Sequence, residues 1–305
     1  MSDANAQPFF SSAQNRNFAL AAAVLALGFV VPLWKLLRFA VADDLHSYIP
    51  LIPLISGYLV WTEKSKLPRG SVPARNLAAF FFSAGAAATA GYFFVARFAT
   101  PATIENSLAL STLAFLLCLT GSGCWFLGGA TMRGLAFPFF LLAFMIPFPV
   151  FLRDGIEAGL QHGSAIAADW MFTLAGTPVW RDDMLFRLPG MSLKVAPECS
   201  GIHSTLILFI TSLLAGQIIL RQPWRRAVLC LAVLPLALIR NGFRVFVLGE
   251  LCIHVGPQMI DSPVHHHGGP LFFVLSLVPF FLLLYFLRKT ERTGAAGRSP
   301  NSENK

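Results

Sequence analysis

The stretch HSTLILFITSLLAGQIILRQPWRR, residues 203–226, decides the fold class of this chain. Between His203 and Leu220 it contains no Asp, Glu, Lys or Arg, and a basic segment follows at once. An α-helix needs about 20 predominantly apolar residues to cross the hydrocarbon core of a bilayer. The stretch therefore predicts a membrane-spanning helix whose C-terminal end is marked by arginines.

The same pattern recurs along the whole chain of 305 residues, of which 55% are hydrophobic and only 12% are charged. The mean hydropathy is +0.64, whereas soluble domains carry about a quarter charged residues. We predict an all-α, polytopic integral membrane helical bundle of about eight spans. The predicted spans are 18–38, 45–61, 77–98, 107–127, 135–152, 203–220, 227–250 and 269–287.

Two apolar segments need a separate interpretation. Polar residues interrupt the stretch 155–176, GIEAGLQHGSAIAADWMFTLAG, so we predict a helix that lies in the membrane interface. The first apolar run, residues 18–37, lacks a small-residue cleavage site and is predicted to be a retained span and not a signal peptide.

The segments between spans alternate in charge. Basic residues are concentrated in TEKSKLPRGSVPARN (62–76), in RQPWRR (221–226) and in the tail from Arg288, while the alternate segments carry an acidic excess. The positive-inside rule then places both termini in the cytoplasm. We expect a cytoplasmic segment 1–16, a transmembrane domain 17–288 and a basic tail 289–305. Because the net charge of +8 is spread over these short segments, we expect no nucleic-acid partner.

The first candidate for chemistry is PECSGIHS, residues 197–204. Cys199 differs from the other four cysteines, which lie in or beside apolar runs and are predicted to be small buried hydrophobic residues. Cys199 precedes Ser200 and Gly201 at the predicted start of a helix. Free N–H groups and the positive end of the helix dipole lower a thiol pKa and can stabilise an oxyanion. The alternative is a Ser/Gly helix start that merely contains a cysteine.

The second candidate is RNGFR, residues 240–244, within an otherwise apolar span. Asn241 and Arg244 are three residues apart and therefore share a helix face, and Arg240 lies on the same side. Ionisable residues inside a span are costly and usually face a cavity or a partner. Alternatively, the arginines extend to lipid headgroups or pair with Glu250.

The third candidate is HHHGGPLFF, residues 265–273. Three consecutive histidines cannot all face one ion, so Asp261 or His254 would have to assist in holding a metal. We assign no metal ligand and predict no cofactor. One of the three histidines could instead exchange protons near neutral pH, and solvated loop histidines remain the alternative. Topology places all three candidates at the non-cytoplasmic face. There a thiolate, a guanidinium and an imidazole would form a nucleophilic site.

These motifs resemble the exosortase/archaeosortase family. The resemblance rests on ECSGI with Cys199, on N-x-x-R at Asn241 and Arg244, and on a histidine before G-x-x-x-F. The stretches DDLHSYIPLIPLISGYL, MIPFP, GTPVWRDD and LPGMSLKVAPECSG are also similar to family segments. The resemblance extends from about Asp43 to Phe281.

The resemblance implies a membrane-embedded cysteine transpeptidase of the cell inner membrane whose site faces the periplasm or the exterior. Its partners would be membrane lipids, exported proteins with a C-terminal tripartite sorting signal, and an unidentified surface acceptor. Such a signal has a short motif such as PEP, a transmembrane helix and a basic cluster. Carried over by motif, Cys199 is the nucleophile, Arg244 stabilises the transition state, and His265 is the family histidine, with His266 next.

One departure concerns the base. Where the family often has a basic residue soon after the cysteine, this chain has His203, four residues beyond Cys199 on the predicted helix. His203 could therefore contact the thiolate and act as the base.

Three other interpretations remain open at this stage. A rhomboid-type serine protease would use Ser200 as its nucleophile. A polytopic transporter or metal permease would use Arg240, Arg244 and the histidines His265 to His267 along a pathway. A non-catalytic assembly subunit would need none of them.

Overall fold

The computed structural model of the chain describes residues 13–68, 71–97, 101–189, 191–195, 200–256, 258–259 and 269–296. The α-helices of the first half are α1 (Ala13–Gly28), α2 (Val30–Ala42), α3 (Leu51–Glu63), α4 (Arg75–Val95), α5 (Pro101–Phe126), α6 (Gly129–Gly134) and α7 (Ala136–Leu142). Those that follow are α8 (Val150–Ala175), α9 (Ile202–Ile219), α10 (Pro223–Leu231), α11 (Val233–His254) and α12 (Gly269–Ala296).

The described helices confirm a polytopic helical membrane protein. Five stretches are long and apolar enough to cross a bilayer: Arg75–Val95, Ile104–Phe126, Ile202–Ile219, Pro223–His254 and Gly269–Glu291. Two bent helix pairs, α1 with α2 and the stretch Ala136–Met145 with α8, raise the number to seven if each pair is one span. Apolar side chains such as Leu271, Val274 and Val278 of α12 are exposed, as expected for surfaces that face lipid.

Several predicted spans differ in detail. The first is broken at Phe29, where the axes of α1 and α2 differ by 72°. The predicted span 135–152 ends early, because α7 gives way to a 3-10 turn and the stretch with Pro147 and Pro149 precedes α8. Proline lacks an N–H and disfavours a continuous helix. The predicted interfacial segment 155–176 belongs to the longer helix α8.

The all-α prediction was wrong for residues 180–194. They form an antiparallel sheet in the order β1 (Trp180–Asp182), β2 (Leu185–Leu188) and β3 (Met191–Lys194). Phe186 is paired with Leu193, and both are buried. Arg187, which lies between the buried residues Phe186 and Leu188 of β2, is exposed. This alternation has the period of two that a half-buried strand requires. The sheet therefore presents one apolar face to a core.

The chain divides into two compact units, residues 1–153 and 154–305. In the first unit, α4 and α5 pack closely at small residues. A Cβ atom on Gly85 would lie 2.7 Å from the Cys118 sulfur. Small residues at helix contacts are typical of membrane proteins because close approach maximises van der Waals packing. Of the cysteines predicted to be buried, Cys124 and Cys252 are buried, and Cys118 and Cys230 are partly buried.

The second unit contains the core that supports α11. Phe172 of α8, Phe186 and Leu193 of the sheet, and Val245 and Leu248 of α11 pack together. The sheet and α8 thus fix α11 along the half that follows Asn241.

Two glycines of α11 allow α8 to approach it closely. A Cβ atom on Gly249 would lie 2.5 Å from the ring of Phe172, and one on Gly242 would lie 2.9 Å from the backbone nitrogen of Ala168. Gly242 lies directly after Asn241, so this crossing also determines where the RNGFR segment lies.

We expect Gly242→Ala to destabilise the protein by about 1–3 kcal/mol, because backbone atoms of α8 cannot move aside as a flexible side chain can. The matched control is Gly159→Ala, since nothing lies within 4 Å of a Cβ atom at Gly159 of α8. It should be neutral or slightly stabilising, because alanine is the better helix former. Thermal unfolding midpoints of the detergent-solubilised variants check this; a Gly242→Ala midpoint at or above that of the control would contradict it.

Candidate functional site

The turn that precedes α9 requires glycine for two reasons. Gly201 has a φ of +65°, in the left-handed region, and is the N-cap residue of α9. A Cβ atom there would also lie 2.4 Å from Oδ1 and 2.5 Å from Nδ2 of Asn241. Glycine alone avoids both the strain and the clash. The neighbouring Ser200 is almost completely buried, with 1% of its surface exposed.

A side chain of α11 holds this turn in place. The Asn241 amide donates a hydrogen bond from Nδ2 to the Ser200 carbonyl oxygen at 2.5 Å, and Asn241 is itself buried. In the sequence, Cys199 lies 42 residues before Asn241 and 45 residues before Arg244. The hydrogen bond therefore joins the first two sequence motifs at Ser200.

Arg240 completes a network around the same turn. Its Nε and Nη2 both donate to Asn241 Oδ1, at 3.1 and 3.0 Å. Nη2 also donates to the Gly201 carbonyl at 3.3 Å and to Thr205 Oγ1 at 3.2 Å. The Thr205 hydroxyl in turn donates to the Gly201 carbonyl at 2.8 Å. Arg240 thus orients the Asn241 amide and fixes the first turn of α9.

The charge of Arg240 has no counterion in the part of the chain that the structure describes. Its side chain is buried, its Nη1 has no hydrogen-bond partner there, and its contacts are to neutral oxygens. Glu250, one predicted partner for the arginines, accepts instead from Thr177 at 2.5 Å and lies 3.1 Å from His254. A positive potential therefore exists beside the Ser200–Gly201 turn.

Arg244 lies one helical turn beyond Arg240 and is partly buried. Residues four apart on an α-helix share a face, so α11 presents both guanidinium groups on the same side. An apolar groove of about 280 Å³ lies between α11 and α12 beside Arg240, and its walls include Phe243, Phe272 and Pro279.

The model of the transmembrane exosortase family (Exosortase_EpsH) matches residues 34–282 of the chain. The chain belongs to this family. No curated protein and no solved structure matches the chain. Membership in the exosortase family supports, in general terms, a role in processing exported proteins through their sorting signals.

The structure of this exosortase brings together Ser200, Gly201 and Asn241 of the predicted site residues. His203 lies in the first turn of α9 and is partly buried. Cys199, His265 and His266 lie outside the described residues, so the catalytic roles predicted for them remain predictions. Among the described residues, no group of three or more His, Cys, Asp or Glu side chains could hold a metal ion, and the histidines 265–267 are not among those residues.

Sequence reasoning did not identify what Arg240 and Thr205 do in this exosortase. The signal for Arg240 was its position one residue before Asn241 inside an apolar span. Thr205 gave no separate signal, because a threonine in the first turn of a helix usually bonds only to its own backbone.

Gly201→Ala should destabilise this exosortase more than Gly176→Ala does. Gly201 has a φ of +65° and Gly176 a φ of +72°, so both are left-handed. Nothing lies within 4 Å of a Cβ atom at Gly176, whereas the Asn241 amide obstructs a Cβ atom at Gly201. We expect about 1 kcal/mol from backbone strain at either position and about 1–3 kcal/mol more at Gly201 from the displaced amide. Unfolding midpoints in detergent measure the difference, and equal midpoints would show that the Asn241 contact carries no free energy.

Proposed function

We propose that this exosortase is a membrane-embedded cysteine endopeptidase and transpeptidase. It would cleave exported proteins at their C-terminal sorting signal and transfer the cleaved proteins to a cell-surface acceptor. The observation that carries the proposal is the hydrogen bond from Asn241 to the Ser200 carbonyl, with Arg240 bracing both partners. It holds the residues that directly follow Cys199 against the helix that carries Arg244.

In the proposed reaction, the Cys199 thiolate attacks the carbonyl carbon of the scissile peptide bond. The Arg244 guanidinium stabilises the oxyanion of the tetrahedral intermediate. The intermediate then expels the amine, which takes a proton from a histidine, and a thioester to Cys199 remains. An amine or hydroxyl of the acceptor attacks the thioester, gives its proton to the same histidine and releases the thiolate.

His265 is our first choice for the proton carrier, with His266 and His203 as the other candidates. His203 has one structural point in its favour, because its place in the first turn of α9 is close in sequence to Cys199. The histidine of the last motif has the family spacing to Gly269 and Phe273. Substituting each histidine singly separates the three.

We also propose eight membrane crossings with both termini in the cytoplasm. Seven come from the five long stretches and the two bent pairs, and the eighth would be α3. The helix α3 is short, with 13 residues, so it needs the turns that precede it to reach across the bilayer. The basic segments would then lie inside, and the Ser200–Gly201 turn would lie near the outer face.

Cys199→Ala should abolish processing of an exported reporter that carries a PEP-type C-terminal signal, because the Cys199 thiolate forms the acyl intermediate in this scheme. The measurement is a gel-shift assay in native membranes, with enzyme amount followed by a tag. Ser200→Ala is the matched control and should retain processing, since its carbonyl, not its hydroxyl, binds Asn241. Processing by Cys199→Ala would overturn the proposal, and loss with Ser200→Ala alone would indicate a serine enzyme.

Arg244→Lys should reduce the processing rate about 100-fold or more, because an ammonium lacks the planar fork of donors that aligns on an oxyanion. Arg221→Lys, just beyond the end of α9 that is opposite Gly201, makes the same chemical change at an exposed position and should process normally. Single-turnover rates at matched enzyme amounts provide the comparison. A normal rate for Arg244→Lys would remove Arg244 from the transition state.

A further inference from the structure

A large groove in the first unit shares no lining residue with the proposed active site. It has a volume of about 1070 Å³ and is formed by the start of α4, the end of α5, and the helices α6 and α7. We infer that this groove binds an anionic phospholipid, with the phosphate at its basic rim and an acyl chain along its apolar wall. The inference does not depend on the proposed catalytic function.

The wall of the groove is apolar and largely aromatic. Its apolar side chains include Leu77, Phe81, Met132, Phe139 and Phe140. Such a surface gains free energy by covering hydrocarbon, at about 25 cal/mol for each Å² buried. It therefore suits an acyl chain better than a polar metabolite.

The rim of the groove is basic. Arg75 and Arg133 both line it, and no Asp or Glu is among the lining residues. Arg75 lies with its guanidinium carbon 6.0 Å from the ring centre of Trp125. In the described part of the chain neither guanidinium group forms a hydrogen bond or an ion pair, and both arginines are exposed. Two uncompensated guanidinium groups at the edge of an apolar groove complement an anion attached to a hydrocarbon chain.

The backbone of the rim is preformed. Gly129 N donates to the Val72 carbonyl at 3.2 Å, and Ala74 N donates to the Cys124 carbonyl at 3.0 Å. Gly128 has a φ of +83°, and a Cβ atom there would lie 2.6 Å from the Val72 carbonyl oxygen. The segment that leads into α4 is therefore fixed against the turn between α5 and α6, and the groove needs no rearrangement to exist.

The start of α4 adds to the attraction for an anion. Its N-cap residue Ala74 has no side chain that could cap the helix, and Arg75, Asn76 and Leu77 of the first turn line the groove. Uncapped N–H groups and the positive end of the helix dipole favour a phosphate.

The location also distinguishes the ligand. The groove lies on the side that the basic segments predict to be cytoplasmic, where anionic headgroups attract arginines by about 1 kcal/mol each. The basic cluster of a sorting signal would be repelled by Arg75 and Arg133, so the substrate itself is not the occupant. An anionic phospholipid complements the basic rim, covers the apolar wall and is present on the predicted cytoplasmic side.

The experiment measures binding to the full-length protein in a neutral detergent. Short-chain phosphatidylglycerol is titrated against the wild type, and the rise in unfolding midpoint gives an apparent affinity. We expect phosphatidylcholine of the same chain length to bind at least fivefold more weakly. Arg75→Gln and Arg133→Gln should each weaken phosphatidylglycerol binding about fivefold, which is the factor that corresponds to about 1 kcal/mol.

The matched control is Lys64→Gln. Lys64 lies at the end of α3 outside the groove, and its ammonium is 5.0 Å from the ring centre of Trp61, much as Arg75 is placed against Trp125. This variant should bind phosphatidylglycerol like the wild type. Equal weakening by Lys64→Gln would show general charge attraction and overturn the site.

Two further outcomes would also overturn the inference. Equal binding of both lipids would mean that the acyl chain alone is recognised, and equal stabilisation by glycerol phosphate would mean a site for free phosphate. If a glutamine variant is unstable without lipid, Phe139→Ala tests the same groove from its apolar side and should weaken both lipids equally while keeping their ratio.

Discussion

The hydrogen bond from Asn241 to the Ser200 carbonyl is the constraint on which the rest of the site depends. Ser200 is almost completely buried, so its carbonyl would remain unsatisfied without this partner, at a cost of about 1–3 kcal/mol. The bond fixes the start of α9 to one position of α11. Gly201 makes the bond possible because any side chain there would occupy the place of the amide.

Arg240 gives this constraint its electrostatic character. A buried guanidinium that contacts only neutral oxygens in the described part of the chain is expensive in a membrane. Its Nε and Nη2 hold the Asn241 amide in the orientation that directs Nδ2 toward Ser200. The same charge lies beside the residues that follow Cys199. Arg240 therefore both positions the Asn241 amide and sets the charge beside the turn.

The sequence predicted most helices, because long apolar runs between basic segments have few other solutions in a bilayer. It also predicted that Asn241 and Arg244 share a helix face, since that follows from the helical period alone. It did not predict that Asn241 binds the Ser200 carbonyl, because a contact between distant segments depends on tertiary packing. The strands between residues 180 and 194 were not predicted, although FRL and MSLK alternate in polarity, because an alternation over three or four residues is too short to indicate a strand.

The two sets of arginines show why burial decides what an uncompensated charge can do. Arg240 is enclosed, and its four hydrogen bonds all go to protein oxygens, so its charge acts on the chain itself. Arg75 and Arg133 are exposed at the rim of an apolar groove and form no ion pair among the described residues. Because no described residue neutralises their charge, an anion from outside the chain can do so. In a membrane protein, the most abundant anion that also covers an apolar wall is a phospholipid. Burial therefore separates an arginine that acts on its own chain from two arginines that remain accessible to a ligand.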